Sequence, residues 1–392
     1  MRRKIDTTVI AVKNLNRDLI GEMITFSYEG YPVTNSPALM AMPAWAQAEL
    51  KKLCLGQPKI SGRATVKVYN PANRDETMTL GVDRYIDLTV GQVVDRQAEQ
   101  EPDREALVDG TGQNRYTYRQ LKTVSDDLAK SLIELGIKRG ENVAVIMRNS
   151  PQQIISKVAI SKAGAVIVNI SIFEKRTLLE KLLLQSDVAA IIINTETIEA
   201  LYEICPELKQ ETAGQLKSKK FPLLKAVIMA DQAGDYPGTF RWSDLIVNGS
   251  TLSDYGLKKI RALVSYQDVA TIIHTSGTTG LPKGVMLTHG TVIENAFSHV
   301  RVLKLTKDDK FCLPVPMFHA LGCIGSALTT LIAGGTLIII DKVGPVGLLD
   351  ILRKEKCTVL CGVPTLYIDL ITAAGKTNYD LSSFSLQKCV VA

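Results

Sequence analysis

The sequence has no apolar run long enough to cross a membrane. Its longest apolar stretches, such as Ala189–Ile193 and Thr336–Ile340, have the length of single β-strands. A membrane-spanning helix needs about 20 consecutive residues that are mostly apolar. The sequence therefore predicts no transmembrane segment.

Cysteines at disulfide or metal-binding spacing are also lacking. The seven cysteines are an odd number scattered from Cys54 to Cys389, and the segment between Cys357 and Cys361 is typical of a β-strand. No second pair of Cys or His residues stands at the spacing of a zinc site. This pattern argues against a disulfide framework or a metal centre and favours a reducing compartment.

A strong excess of charge is absent as well. The 46 Lys and Arg residues and 40 Asp and Glu residues give a net charge of +6, which is mild for 392 residues. Such a balance suits small anionic ligands and does not indicate nucleic-acid binding. With 46% hydrophobic and 22% charged residues, the chain has the composition of a globular protein with a sizeable core.

The amino-terminal segment shows no clear targeting signal. Met1–Lys4 is basic, but no apolar core follows it, and Asp6, Asp18 and Glu22 are unusual for a transit peptide. Residues 1–85 contain several prolines and little periodicity beyond one short helix indicated at Ala44–Leu53. We therefore expect two parts, an extension over 1–85 whose fold the sequence does not specify and a main domain over 86–392.

From Thr89 onward, segments with strand and helix patterns alternate. Tyr118–Leu135 has apolar residues at helical spacing, with Thr117 placed to cap its start and Gly136 to end it. The stretch 207–249 is rich in loop residues. The other predicted helices are Pro151–Lys162, Lys175–Gln185, one starting at Thr288, Gly322–Ala333 and Gly347–Lys354, and the predicted strands are Glu141–Met147, Ala165–Asn169, Ala189–Asn194, Ala270–Thr275, Lys310–Pro314, Leu337–Ile340, Thr358–Leu360 and Lys388–Ala392.

This alternation predicts an α/β fold whose parallel sheets are covered by helices on both faces. We expect two doubly wound units with parallel sheets within the main domain.

The loop Thr275–Gly284 is the segment whose composition points most directly to chemistry. Glycines let its backbone approach a ligand closely, consecutive amides can form an anion-binding concavity, and Lys283 adds a mobile positive charge. Neither a Walker A loop nor a GxGxxG motif is present here. We predict that the loop binds a polyphosphate, the alternative being a flexible linker. The predicted binding residues are Thr275, Ser276, Gly277, Thr278, Thr279, Gly280, Leu281, Pro282 and Lys283.

The segment TSGTTGLPKG resembles the signature of the adenylate-forming superfamily, which includes acyl-CoA synthetases, luciferases and peptide-synthetase adenylation domains. The resemblance implies that this loop holds the β- and γ-phosphates of ATP while a carboxylate attacks the α-phosphorus. An acyl-adenylate and pyrophosphate would form, and CoA would then accept the acyl group. Mg²⁺ normally neutralises phosphate charge in such reactions. His274 departs from the aromatic residue common in the family, and we expect it to lie at the end of a strand.

A second segment, Pro314–Gly322, resembles the Pro-x-x-His-x-x-Gly motif of the same superfamily. The resemblance places Phe318, His319 and Gly322 beside the carboxylate of the acid and the entrance to the acyl pocket. His319 is not predicted to be a general base, because a carboxylic acid is already ionised at neutral pH. No residue is assigned as catalytic.

A third segment, Cys361–Thr365, looks like the Gly-x-Pro-Thr turn of the family. Gly362, Val363 and Pro364 would then line the acyl pocket, although a strand-to-helix turn without a ligand remains an alternative. His289 is expected to be structural, and the sequence indicates no role for His299.

The resemblance extends from about Thr89 to Ala392 and is greatest to the medium-chain acyl-CoA ligase branch. The segments Ile204–Glu207, Phe221–Leu223 and Pro364–Asp369 support that branch. Its members in animals are mitochondrial, so the resemblance implies mitochondrial localisation, with the cytoplasm as the alternative. A fatty acid and CoA would be the partners. Acyl chain length and oligomeric state are not predicted.

Several family motifs do not occur among these 392 residues. They are the glycine-rich turn against adenine, the Tyr-Gly-x-Thr-Glu motif, the ribose-binding Asp, the hinge and the carboxyl-terminal domain with its catalytic Lys. Loss of one group that stabilises a transition state costs about 10²–10³ in rate. We therefore expect this chain alone to be inactive or impaired. The alternatives are a non-catalytic module that binds nucleotide or a partner, and a ligase that uses another acceptor.

Overall fold

The computed structural model describes residues 27–28, 31–32, 63–69, 77–83, 88–231, 234–275, 282–382 and 384–391. The chain divides into two compact units, Met1–Asp87 and Leu88–Ala392. In the first unit, β1 (Ser27–Tyr28) pairs antiparallel with β2 (Tyr31–Pro32), and β3 (Arg63–Tyr69) pairs antiparallel with β4 (Thr77–Asp83). The helix predicted at Ala44–Leu53 lies outside the described residues, and the predicted boundary between residues 85 and 86 stays a prediction.

The second unit alternates strands with helices. Its strands are β5 (Glu105–Asp109), β6 (Arg115–Thr117), β7 (Asn142–Ile146), β8 (Val166–Asn169), β9 (Val188–Ile193), β10 (Ala226–Met229), β11 (Phe240–Arg241), β12 (Val269–His274), β13 (Gly284–Thr288), β14 (Lys310–Leu313), β15 (Thr336–Ile339), β16 (Val359–Gly362) and β17 (Lys388–Val391).

The helices of this unit are interspersed with these strands along the chain. They are α1 (Val90–Gln100), α2 (Tyr118–Glu134), α3 (Pro151–Lys162), α4 (Arg176–Gln185), α5 (Thr195–Ile204), α6 (Trp242–Thr251), α7 (Asp254–Arg261), α8 (His289–Val302), α9 (Thr329–Ala333), α10 (Pro345–Lys354) and α11 (Pro364–Thr377), with a 3₁₀ turn at Pro206–Lys209 and a π-helix at Leu321–Leu328 directly before α9. No helix among the described residues is long and apolar enough to cross a bilayer.

The strands form two mixed sheets, so the predicted α/β fold is confirmed. One sheet has the order β11-β10-β9-β7-β8-β12-β13 and the other β17-β16-β14-β15-β5-β6. Neighbouring strands are parallel except at one end of each sheet, where β13 pairs antiparallel with β12 and β6 with β5. Strands such as β9 are buried along their whole length, as expected for parallel strands covered on both faces.

Several short strands were not predicted from the sequence. The stretch 207–249 contains β10 and β11, which extend the seven-stranded sheet. Their four and two residues are too short to show a strand pattern in the sequence. In addition, the chain after the loop Thr275–Gly284 forms a strand, which was not predicted, before it enters the predicted helix at Thr288. It returns as β13 along β12, so the loop closes a β-hairpin.

Local capping explains where the predicted helix at Tyr118 starts and ends. The Thr117 side chain accepts a hydrogen bond from the Gln120 amide, and the Gln120 side chain accepts one from the Thr117 amide. This capping box satisfies two amides that have no partner within the helix. Gly136 has a φ of +80° and donates its N–H to the Ile133 carbonyl, as a left-handed residue after a helix does.

A buried ionic cluster joins four helices of the second unit. The ammonium of Lys162 on α3 lies 2.9 Å from Asp95 on α1 and 2.5 Å from Asp126 on α2. Arg261 on α7 contacts Asp95 as well. Only 1% of the Lys162 side chain is exposed. Lys122 also lies 2.6 Å from Asp126, so two carboxylates and three cations compensate one another in this cluster.

Replacing Lys162 with Ala should destabilise the second unit by about 3 kcal/mol, because it leaves the buried Asp95 and the half-buried Asp126 without their shared cation. Urea unfolding followed by circular dichroism would measure the loss. The control is Lys181→Ala on the exposed face of α4, which should change the free energy of unfolding by no more than about 0.5 kcal/mol. Equal effects of the two substitutions would contradict a stabilising role for the cluster.

The same cluster should make stability depend on pH. Burial raises the pKa of Asp126, but the charge of Lys162 and the hydrogen bonds from Lys122 and Lys162 outweigh burial and hold that pKa below its ordinary value. A carboxyl with a lowered pKa in the folded state stabilises the fold above its unfolded pKa of about 3.9, and this stabilisation is lost as pH falls further. Asp126→Asn should therefore weaken the fall in the urea midpoint below about pH 4. A pH profile identical to that of the unsubstituted chain would refute this prediction.

Candidate functional site

A cleft of about 160 Å³ opens at the carboxyl ends of four strands from both sheets. Ligands of open α/β sheets bind at this kind of edge. The residues that line the cleft come directly after the strands: Arg148 and Asn149 follow β7, Phe173 follows β8, Pro314, Pro316 and Phe318 follow β14, and Ile340, Asp341 and Lys342 follow β15.

The Asn149 side chain connects the two sheets at this cleft. Its Nδ2 donates to the carbonyls of Val315, at 2.8 Å, and Ile340, at 3.0 Å. Its Oδ1 accepts a hydrogen bond of 2.9 Å from the Met317 amide. A single side chain that follows β7 thus satisfies three backbone groups at the exits of β14 and β15, and it fixes the path of the predicted substrate-binding segment.

Lys157 supports the same segment from within α3. Its side chain is buried, and Nζ donates to the Met317 carbonyl at 2.6 Å. Burial lowers the pKa of Lys157 to about 8. Together, Asn149 and Lys157 bind both backbone polar groups of Met317, the residue just before Phe318.

The rings of Phe318 and His319 lie close together, and Phe318 lines the cleft. Their ring centroids are 4.4 Å apart, and the Phe318 ring meets Phe173 edge-on at 6.1 Å. The Arg148 guanidinium lies 5.7 Å from the centre of the Phe173 ring. Phe318 is buried whereas His319 is exposed. Partial burial lowers the pKa of His319, so its imidazole is mostly neutral at neutral pH.

Gly322 is required by a close backbone contact. A Cβ atom at this position would lie 2.2 Å from the Pro316 carbonyl oxygen, a distance that no side chain tolerates. The π-helix Leu321–Leu328 begins at the same point. Segments of π-helix are rare and occur often at functional sites. The tight turn at Gly322 therefore places His319 just before the π-helix.

The predicted turn Gly362–Pro364 joins the end of β16 to the start of α11. Val363 and Pro364 are exposed. Since β16 pairs with β14, this turn lies on the same sheet edge as Phe318. The strand-to-helix turn is present as expected, while the role of these residues in binding an acyl chain stays a prediction.

Four residues of the predicted phosphate-binding loop are described: Thr275, Pro282, Lys283 and Gly284. Ser276, Gly277, Thr278, Thr279, Gly280 and Leu281 lie outside the described residues. The Thr275 amide donates to the Lys283 carbonyl at 3.0 Å, and the Lys283 amide donates to the Thr275 hydroxyl oxygen at 3.2 Å. These bonds close the base of the loop at the carboxyl end of β12, and the Lys283 side chain is exposed there.

Two histidines near the loop have structural positions. His274 is the last residue of β12, as expected, and its Nδ1 lies 3.2 Å from the Asn169 carbonyl. His289 is buried at the start of α8, where its Nδ1 accepts a hydrogen bond from the Val90 amide. Burial lowers the pKa of His289 to about 4, so it stays neutral while it connects α8 to α1.

Sequence reasoning missed Asn149, Lys157, Arg148 and Phe173. Arg148 and Asn149 directly follow a predicted strand, which places them on the edge where ligands bind. Lys157 is a charged residue within a helix that is buried along nearly its whole length. That burial is visible only once both sheets are in place. Among the described residues, no group of three or more His, Cys, Asp and Glu side chains has the arrangement of a metal site.

The fold is shared with several solved structures. The anthranilate CoA ligase AuaEII, solved with anthranoyl-AMP, superimposes with a TM-score of 0.67 at 23% identity over 79% of this chain and 56% of that chain. The N-terminal domain of FACL13 from Mycobacterium tuberculosis gives a TM-score of 0.64 at 20% identity over 77% of this chain and 69% of its own. At these identities the likeness concerns the fold alone.

Curated relatives are closer in sequence. YngI of Bacillus subtilis, named as an acyl-CoA synthetase, is 36% identical over 300 residues, which are 75% of this chain and 54% of YngI. The human medium-chain acyl-CoA ligase ACSF2, mitochondrial, is 30% identical over 306 residues, which are 75% of this chain and 49% of the ligase. The chain thus spans about half the length of the curated relatives it matches. A family model described as AMP-binding enzyme matches residues 94–392, and this match shows that the chain belongs to the family of AMP-binding enzymes.

Proposed function

We propose that this protein activates a carboxylic acid with ATP and transfers the acyl group to CoA. In the first step a carboxylate oxygen attacks the α-phosphorus, the bond to the β-phosphate breaks, and pyrophosphate leaves. In the second step the CoA sulfur attacks the acyl carbonyl, and AMP leaves. The observation on which the proposal rests is the loop Thr275–Gly284, a glycine- and hydroxyl-rich hairpin loop with a cation, at the carboxyl end of β12.

The other candidate residues fit roles on the acid side of this reaction. Phe318, His319 and Gly322 would hold the acid near its carboxylate, and Gly362, Val363 and Pro364 would line the path of its chain. A mostly neutral His319 can donate one hydrogen bond to the carboxylate from its ring N–H. The complex of the AuaEII ligase with anthranoyl-AMP supports the proposed intermediate, because that protein has the same fold.

In this proposal, Mg²⁺ binds together with the nucleotide. The described residues offer no group of acidic or imidazole side chains that would form a cage for the ion. Mg²⁺ is commonly held by substrate phosphates and only one or two carboxylates. We propose that the phosphates of ATP supply most of its ligands, while the loop and Lys283 offset the remaining negative charge.

We further propose a fatty acid of medium chain length as the substrate and the mitochondrion as the compartment. Both follow from the ligases named medium-chain and mitochondrial that are about 30% identical to this chain. YngI is bacterial and carries no such designation, so the cytoplasm is the alternative. Lipid metabolism would be the setting in either compartment.

Lys283→Ala should weaken ATP binding by about 10- to 100-fold, because it removes a charge-assisted contact to the phosphates. Isothermal titration calorimetry with ATP would measure this change. Lys219→Ala is the matched control, since Lys219 is exposed in the connector before β10 and has no proposed role. An unchanged affinity in Lys283→Ala would refute the assignment of the loop.

ATP–pyrophosphate exchange with octanoate tests whether the 392 residues alone are active. We expect little or no exchange, because the family motifs for adenine, ribose and the catalytic Lys are not among these residues. Acid-dependent exchange that disappears in Lys283→Ala would contradict this expectation and demonstrate acid activation directly. ATP binding without exchange is the outcome expected from these 392 residues, and it is shared with the alternative of a nucleotide-binding module. If the acyl group is transferred to a carrier-protein thiol and not to free CoA, the proposed acceptor is wrong.

A further inference from the structure

The backbone around Phe318 and His319 is shaped by hydrogen bonds within its own segment. The His319 amide donates to the Pro316 carbonyl at 3.3 Å, and the Cys323 amide donates to the His319 carbonyl at 3.0 Å. Both bonds join residues that are close in the chain, so they define the turn itself. They do not fix the turn relative to the seven-stranded sheet.

Two side chains from outside the segment fix it through Met317. Asn149 Oδ1 accepts a hydrogen bond from the Met317 amide at 2.9 Å, and Lys157 Nζ donates one to the Met317 carbonyl at 2.6 Å. Asn149 follows β7 of the seven-stranded sheet, and Lys157 lies on α3. The orientation of Phe318, the next residue, therefore depends on these two bonds.

Lys157 differs from Asn149 because it brings a charge that has no counter-ion. The residue is 7% exposed, and no carboxylate among the described residues interacts with its ammonium. Lys162, on the same helix, has the carboxylates of Asp95 and Asp126 beside it. A buried cation without such partners is costly, and the acceptor that the structure gives Lys157 is the Met317 carbonyl. Its charge is therefore directed at the backbone of the acid-binding segment.

The surroundings of Lys157 allow this charge to change at moderately alkaline pH. Burial lowers the pKa of Lys157 to about 8. Within the described part of the chain, the titratable group that acts on Lys157 is the Cys323 thiol of the π-helix, and burial raises the pKa of that thiol, so it stays uncharged.

The other elements around α3 add no charge beside Lys157. The charged residues of α1, α2 and α7 that face α3 belong to the cluster around Lys162: Asp95, Asp126 and Arg261. The side chains of β8, β12 and α8 that line the same small cavity as Lys157 are uncharged: Ile167, Asn169, Ala270, Thr271 and Val292. Lys157 is therefore the group behind the segment whose charge changes in this pH range.

We infer that Lys157 is a positioning residue for the acid: through the Met317 carbonyl, its ammonium holds Phe318 and His319 in the orientation that binds the carboxylate. This inference rests on the proposed activation of a carboxylic acid, in which His319 donates a hydrogen bond to that carboxylate. Lys157 does not touch the acid in this arrangement and acts through the backbone. Loss of its proton weakens the bond to Met317 and leaves Asn149 as the remaining strong anchor of the segment.

The consequence is an acid affinity that depends on pH. A protonated amine donates a charge-assisted hydrogen bond, and a neutral amine donates a weaker one. Because Lys157 loses its proton through about pH 8, the affinity should be full near neutral pH and fall as the pH rises further. Over this range the acid stays ionised and His319, whose pKa burial lowers, stays mostly neutral, so neither group accounts for the fall.

Isothermal titration calorimetry with octanoate tests the inference on the 392-residue chain with ATP present. We expect octanoate to bind about fivefold more weakly at about pH 9 than at about pH 7, the difference between a charge-assisted and a neutral hydrogen bond. Lys157→Met has a similar volume and no donor. It should bind octanoate about fivefold more weakly than the unsubstituted chain at the lower pH and change by about twofold or less between the two pH values.

Two further variants keep the result interpretable. Lys157→Gln keeps an uncharged donor, so it should recover part of the affinity that Lys157→Met loses, without the fall at the higher pH. Lys181→Gln, on the exposed face of α4, should keep both the affinity and the fall. Circular dichroism of each chain at both pH values checks that it stays folded.

The possible outcomes separate this inference from the proposed function. If octanoate binds equally at both pH values, or if Lys157→Met or Lys157→Gln keeps the full fall, the inference is wrong while acid activation stands. Equal affinity of Lys157→Met and the unsubstituted chain at the lower pH would also overturn it. A purely structural role of Lys157 would lower stability without making acid affinity depend on pH. If octanoate binds at neither pH value, the proposed acid activation fails as well.

Discussion

The relative position of the two sheets at the cleft depends on how one short backbone segment, around Met317, is hydrogen-bonded between them. Asn149 binds the Met317 amide and Lys157 binds the Met317 carbonyl, so both polar groups of this residue are anchored to the seven-stranded sheet and its helix α3. Met317 itself follows β14 of the six-stranded sheet. The carboxyl edges of both sheets are thereby fixed relative to each other, and the cleft with Phe318 and His319 exists because of that connection.

Much of this arrangement was predictable from the sequence, and the reason is periodicity. Buried parallel strands such as β9 are short apolar runs, and helices such as α3 start with Ser150 and Pro151, so both types of segment appear in the sequence within a residue or two of their observed bounds. The loop Thr275–Gly284 was recognisable because its composition is unusual. The apolar runs, the helix starts and the loop composition are each determined by consecutive residues, so they are visible in the sequence.

The features that were missed depend on contacts between distant segments. Nothing near β10 and β11 marks them as strands, because their two to four residues gain strand geometry only by pairing, β10 with β9 and β11 with β10. The function of Asn149 depends on carbonyls 166 and 191 residues away in the chain. Lys157 and Lys162 look alike in the sequence, five positions apart on α3, yet Lys162 is matched by two carboxylates and Lys157 by a single carbonyl. Only the packing of the folded chain shows this difference between the hydrogen-bond partners of Lys162 and those of Lys157.

The hairpin closure of the glycine-rich loop has a consequence for the entropy of binding. Hydrogen bonds between Thr275 and Lys283 hold the two ends of the loop together before any nucleotide arrives. Fixing both ends removes many conformations that a free glycine-rich chain would sample. The loop therefore loses less conformational entropy when it closes around phosphates. A larger part of the interaction energy between the loop and the nucleotide then appears as binding affinity. The strand pairing beneath the loop thus contributes to ligand binding without touching the ligand.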